Sequence, residues 1–134
     1  MFNIGYVKNI VLILLCFYLF SCQNISNSSQ VSSLDSLSIL IQNDPSSIDF
    51  LKERASIYLK NNNLELAKTD IDHAYEIFKN DPELLLLRGD LYFLLNETRI
   101  SKDSWQRCLE LDANNIDCRQ KLTELYCLVK DQKC

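Results

Sequence analysis

Six cysteines and a single histidine are the residues of this 134-residue chain best able to do chemistry. The histidine, His73, has no second imidazole with which to share a metal. A lone helical histidine sits at a surface or rim far more often than it serves as a base. The cysteines fall at 16, 22, 108, 118, 127 and 134. No two of them form the C-x-x-C pair that a zinc or redox site would want. Only two glycines are present, and no glycine-rich loop exists to cradle a phosphate. No nucleophile motif appears. These residues predict a protein that is not an enzyme and that holds no metal and no cofactor. What remains for the cysteines is lipid attachment, disulfide bonding or burial, and each depends on the element that carries it.

The N-terminal stretch MFNIGYVKN has one positive charge, Lys8, and no acid. An unbroken apolar run of eleven residues, Ile10 to Phe20, follows. Spanning a bilayer takes about 20 apolar residues, so the run reads as the core of a signal peptide rather than a permanent anchor. It ends in LFSC, Leu19 to Cys22. That tetrapeptide resembles a bacterial lipobox, with leucine three places before the cysteine and the small Ser21 just before it. Phe20 is bulkier than the residue usual at its place. The resemblance implies that residues 1–21 are a lipoprotein signal peptide and that Cys22 receives a diacylglycerol. The competing reading is an ordinary secretory signal or signal anchor with a chance cysteine. We prefer the lipoprotein because Cys22 stands where the apolar run meets a polar segment. Residues 22–33, mostly Ser, Asn and Gln, read as a flexible tether. A lipidated Cys22 would fix the protein to a membrane while leaving the rest in water. Gln23, rather than the Asp associated with inner-membrane retention, favours the outer membrane, facing the periplasm or the surface.

The remaining chain, 34–134, has the composition of one small helical domain. The whole sequence is 47% hydrophobic and 24% charged, with only two prolines. Its formal charge of -4 becomes -5 if the segment bearing Lys8 is removed. A mildly acidic protein without clustered Lys or Arg excludes nucleic acid as a partner.

Polar breaks punctuate this domain: NDP at 43–45 and again at 80–82, KNNN at 60–63, LNET at 95–98, DANN at 112–115. Each NDP places an Asp cap before a Pro suited to a first helical turn. Between breaks, apolar residues recur at the three-and-four spacing of helices. The segment 34–42, with Leu34, Leu37, Leu40 and Ile41 on one face, predicts a capping helix. A longer period underlies the shorter one. Ala55 and Gly89 are 34 residues apart, as are Leu51 and Leu85, Tyr58 and Tyr92, Tyr92 and Tyr126, Ile71 and Trp105, and Ala74 and Cys108.

Those residues resemble the tetratricopeptide repeat, a 34-residue unit of two antiparallel helices. Ala55, Tyr58, Ala67, Ile71 and Ala74 match its small and aromatic places in one unit, and Gly89, Tyr92, Trp105 and Cys108 in the next. Ser101 departs from an expected Ala, Ala113 from the closing Pro, and Pro82 lies three residues late. The resemblance implies an all-α fold, a short superhelical stack of antiparallel helix pairs with capping helices. Its repeats would span about 48–81 and 82–115, with a final helix at 116–130. The small residues would let backbones approach, and Tyr58, Tyr92 and Trp105 would fill the shared interior.

Within that arrangement Cys108 and Cys118 flank the DANN turn, so antiparallel helices could bring them level as a disulfide. Equally, Cys108 could be a small buried residue in the place of Ala. Cys127 and Cys134 lie about 10 Å apart along a continuous helix, beyond bonding reach. Transferring the family's groove places gives Lys52, Ser56, Leu59, Leu86, Asp90, Phe93, Gln120 and Glu124. A clamp for a terminal carboxylate would need Lys and Asn together; Lys52 fits it, whereas Ser56 and Asp90 do not. Leu59, Leu86 and Phe93 suggest an apolar groove for a partner segment, unless the caps cover them. The resulting expectation is a lipid-anchored envelope protein that holds a protein or peptide partner. The alternative is a secreted or surface-displayed, disulfide-stapled structural domain without a dedicated groove.

Overall fold

The computed structural model of the chain describes residues 25–131, with side chains from 33 to 129. Within these residues six helices follow one another: α1 (Ile25–Asn43), α2 (Ile48–Lys60), α3 (Leu64–Ile77), α4 (Pro82–Leu94), α5 (Thr98–Leu111) and α6 (Ile116–Asp131). Among the described residues there is no strand. The chain falls into two compact units, 1–35 and 36–134, and the stack described below belongs to the second. The proposed signal peptide and Cys22 lie outside the described residues, and no described helix is long and apolar enough to cross a membrane.

Helices α2/α3 and α4/α5 form the two most extensive antiparallel pairs. Contacts of α3 with α4 and of α5 with α6 join the pairs in series, and α2 also touches α4. An all-α repeat stack is therefore the observed fold. Two cores run through it. Leu51, Ala55, Ala67, Ile71, Ala74, Leu84, Leu91 and Tyr92 make the first, with Tyr58 packed at its edge. Leu85, Trp105, Cys108, Cys118, Leu122 and Leu125 make the second. Most residues related by the 34-residue period are buried, as expected when each pair hides its apolar face against its neighbours; Tyr58 is half-buried and Tyr126, on α6, is exposed.

The small residues matter most at Gly89. A Cβ there would stand 2.2 Å from Trp105 Nε1 and 2.4 Å from its Cδ1, far inside van der Waals contact. The indole therefore lies directly on the α4 backbone. Ser101, which replaces the alanine of the repeat pattern, is fully buried and donates its hydroxyl to the Gly89 carbonyl at 2.8 Å. That bond satisfies a buried hydroxyl that would otherwise be costly.

The turns repeat as closely as the cores. Asn62 and Asn96, one period apart, both adopt left-handed backbone, φ 57° and 62°, a conformation asparagine tolerates better than most residues. Asn63 N–H donates to Tyr58 O, and Glu97 N–H to Tyr92 O, each at 2.8 Å.

Two expectations require correction. Residues 25–33, read as flexible tether, are helical and continuous with the cap expected at 34–42. No Gly or Pro lies between Cys22 and Pro45, so nothing stops a helix nucleated over the apolar cap from propagating backward. The first NDP does not start a helix at Pro45. Asp44 instead accepts from Ser46 N–H at 3.2 Å and Ser46 Oγ at 2.9 Å, and α2 begins after Ser47. In the second NDP, Asp81 caps α4 by accepting from Leu84 N–H at 2.7 Å, with Pro82 in the first turn. The caps Ser47 and Asp81 are 34 apart, which restores the period that the two prolines break.

Substituting Gly89→Ala is expected to cost about 1–3 kcal/mol by overpacking against Trp105, measured by urea unfolding. Adding Trp105→Ile recreates the Ala–Ile combination of the first unit, Ala55 and Ile71. The double variant should then be more stable than the sum of the single losses predicts. Strictly additive losses would show that the two positions do not meet.

Candidate functional site

The first helix of each pair, α2 and α4, together with α6, carries every residue assigned to the groove. The structure divides those residues. Lys52 is only 8% exposed, because its ammonium is drawn into the stack by Asp81 and Glu83, each 2.9 Å away, and by Asp49 at 3.3 Å. Burial alone would lower its proton affinity, but the bonds from Glu83 and Asp81 outweigh that and raise it well above the usual lysine range. Burial would likewise raise the Asp81 carboxyl; the Leu84 amide and Lys52 hold it below the usual carboxylate range. Lys52 is thus an internal tie between α2 and the cap of α4, and has no free charge to offer a partner's carboxylate.

Leu59 is half-buried against the first core and Leu86 against the second. The apolar groove expected from Leu59, Leu86 and Phe93 contracts accordingly. Phe93 remains 38% exposed, its ring 5.8 Å from that of Trp105. Gln120 is exposed and donates to Glu124 at 2.8 Å.

Asp90 is the least comfortable residue of this face. Lys121 Nζ stands 3.4 Å from its Oδ1, an ion-pair distance without hydrogen-bond geometry, and that oxygen is otherwise buried without a donor. Burial pushes the Asp90 carboxyl up, against the opposing pull of Lys121. Between α2 and α4 a concavity of about 350 Å³ opens, lined by Asp49, Lys52, Glu53, Ser56, Glu83 and Leu87. Asp49, Glu53, Glu83 and Leu87 did not figure among the groove places. The signal that could have found them was present: each lies three residues before a groove place on the same helix, Asp49 before Lys52, Glu53 before Ser56, Glu83 before Leu86 and Leu87 before Asp90.

Polar contacts between helices also recur with the period. Arg54 makes a bidentate pair with Asp70, at 2.8 and 2.7 Å, and Arg88 donates to Ser104 at 2.7 Å, 34 residues on. Tyr92 donates to Asp72 at 2.9 Å beneath Lys68, while Tyr126 accepts from Gln106 at 3.2 Å beneath Lys102. These bonds hold each pair, and each pair to the next; they serve the scaffold. His73 is exposed on α3. Among the described residues no group of acids, cysteines and histidine is arranged to hold a metal.

Cys108 and Cys118 are joined as a disulfide, with Cα atoms 6.5 Å apart. The bridge ties α5 to the first turn of α6, and both cysteines are fully buried in the second core. Cys127 is an exposed free thiol on the far part of α6.

Comparison with known proteins agrees with this architecture. Residues 53–81 match the sequence profile of the tetratricopeptide repeat. The fold is similar to the first tetratricopeptide domain of Spaghetti (RPAP3) bound to the HSP90 peptide SRMEEVD, with TM-score 0.72 and 21% identity over 78% of this chain and 83% of that one. It is similar to the first such domain of human RPAP3, with TM-score 0.72 and 20% identity over 81% and 85% of the two chains. It is also similar to MamA, with TM-score 0.71 and 16% identity over 81% and 63%. At these identities the likeness establishes the fold alone. No characterised protein matches the sequence.

Two predictions follow from the site itself. The folded-state value of Asp90 is raised, so its charged form is penalised in the fold. Asp90→Asn should therefore stabilise the protein at neutral pH. The gain should shrink as pH falls through the folded-state value and vanish below the ordinary value of 3.8, where both states of the native residue are protonated. Urea titrations of both proteins from pH 3 to 7, a range chosen to bracket the carboxylate values, measure this. Reducing the Cys108–Cys118 bridge should cost about 2–3 kcal/mol, given its short loop. Mass analysis after alkylation of the urea-unfolded chain should label Cys127 without reductant and Cys108 and Cys118 only with it.

Proposed function

We propose that this chain, a tetratricopeptide-type helical stack, is a lipid-anchored adaptor that holds a protein partner in the bacterial cell envelope and does no chemistry of its own. The observation that carries the adaptor reading is the face of first helices. Its α2/α4 concavity and the exposed Phe93 lie on the side of the stack where the first helices of the pairs stand next to one another. Structures of the same fold bind peptides: one RPAP3 domain is bound to the HSP90 peptide SRMEEVD, another is in complex with the HSP70 peptide SGPTIEEVD. Repeat stacks are suited to such a role because a rigid array presents side chains at fixed spacing along one surface.

The anchor is inferred from sequence: the apolar run, the LFSC match and Cys22. The outer membrane is the proposed location, on the strength of Gln23.

A photoreactive residue at position 93, introduced into the full chain and irradiated in cells, tests the reading. A discrete crosslinked species of higher mass is expected, together with labelling of the chain by radioactive palmitate. Changing Cys22→Ser should abolish the label and reduce the adduct several-fold by releasing the protein from its partner's membrane. Absence of any adduct with the anchored chain would favour the structural-domain alternative. Retention of the label in Cys22→Ser would remove the lipid anchor from the proposal.

A further inference from the structure

The adaptor reading does not say what chemistry the partner brings, and the charges around the concavity do. Its rim holds three carboxylates, Asp49, Glu53 and Glu83, against the one ammonium of Lys52. That ammonium is buried and already shared among Asp49, Asp81 and Glu83. One positive charge cannot neutralise three partners, so about two negative charges are left uncompensated on this patch before Glu53 is counted. The surplus faces solvent: the side chain of Asp49 is 88% exposed and that of Glu83 71%. Glu53 is exposed as well and has no ion pair or side-chain hydrogen bond among the described residues. Half-buried Leu87 provides an apolar wall beside these acids, and Ser56 adds a hydroxyl whose own proton goes to the Glu53 carbonyl.

We propose that the α2/α4 concavity binds a cationic segment of a partner protein, placing a Lys or Arg among Asp49, Glu53 and Glu83 with an apolar neighbour against Leu87. This rests on the adaptor reading and gives it a partner class. An acidic segment ending in a free carboxylate would meet uncompensated negative charge here, and the one lysine that could receive it is engaged internally. Like charges brought together at an interface oppose association, whereas complementary ones steer it and fix register. The buried Lys52 has a second part in this. By gathering Asp81 and Glu83 it holds the start of α4 against α2, which keeps the acidic rim in place.

Fluorescence anisotropy with the full chain in detergent tests the assignment. The probes are the capped peptide LKSLKRL, its acidic counterpart LESLEEL, and SRMEEVD. LKSLKRL is expected to bind, and to weaken as salt rises through the range where exposed charges are screened. Glu53→Lys should weaken it by about fivefold or more. Glu76→Lys makes the same charge change on α3, outside the concavity, and should act within about twofold. Both sites are exposed, so unchanged circular dichroism will show that neither variant has lost its fold. Equal weakening by the two variants would reduce the binding to net charge and overturn the proposal. Tighter binding of LESLEEL or SRMEEVD would overturn the cationic preference while leaving the face as an interaction site. No binding by any probe would overturn the proposal too, and the crosslink at position 93 then decides separately whether the face has a partner at all.

Discussion

The stack closes because the Trp105 indole rests on a backbone that has no side chain at Gly89. That contact sets Trp105 beside Leu85 and Cys108 in one core. The same place in the first unit is filled by Ala55, with Ile71 where Trp105 stands, so the pair trades a methyl group against ring volume from one repeat to the next. The sum of the two side chains matters more than either identity, as close packing requires. Ser101 fits the same constraint. It is small enough for the crossing, and its hydroxyl is satisfied by the Gly89 carbonyl that the missing side chain leaves accessible. A substitution that looks like a departure from the repeat pattern thus answers the same geometry by another route.

A short repeat array has a problem at its ends, since a terminal helix has one neighbour where an internal helix has two. Helix α6 shows how this chain meets it. Among the described residues no helix packs on the far side of α6: the place that Ala55 and Gly89 hold in the earlier units is taken by the exposed Thr123, and Tyr126, in register with Tyr58 and Tyr92, is 49% exposed. Helix α6 keeps only Cys118, Leu122 and Leu125 in the core, all within its first two and a half turns or so. The Cys108–Cys118 bridge sits at the beginning of that buried stretch and ties the helix covalently where apolar burial has only just begun. The Tyr126–Gln106 contact then continues the pattern of Tyr92–Asp72 one unit further, although its exposed setting gives it less energy.

What was legible in the sequence is what the period repeats. Residues that recur every 34 places must solve the same packing problem twice, so their roles could be read from recurrence: Ala55 with Gly89, Tyr58 with Tyr92, Ile71 with Trp105. Even the offset prolines resolved into period-keeping caps, Ser47 and Asp81. What was not legible depended on competition between local partners. Asp44 spends its carboxylate on Ser46 and so does not cap α2. The start of α1 depends on the absence of a stop signal in 25–33, which composition suggests only weakly. Lys52, Leu59 and Leu86 occupy outward-looking helical places, yet their burial is settled by the neighbours packed against them: the acids at the start of α4 for Lys52, the first core for Leu59 and the second for Leu86. A one-helix projection cannot contain those neighbours.

The same distinction separates scaffold from recognition on this surface. Charged residues that pair across helices, such as Arg54 with Asp70 and Lys52 with Asp81, are held at 2.7–2.9 Å inside the stack. Their energy goes into register and they are lost to a ligand, since an ion pair already desolvated and geometrically matched gains little from exchanging partners. Recognition must then fall to the groups left unpaired once the scaffold has been assembled. On the α2/α4 face the cation is consumed first and the carboxylates remain. The sign of the exposed charge on this face is therefore set by a structural requirement one layer below it, the need to secure the start of α4.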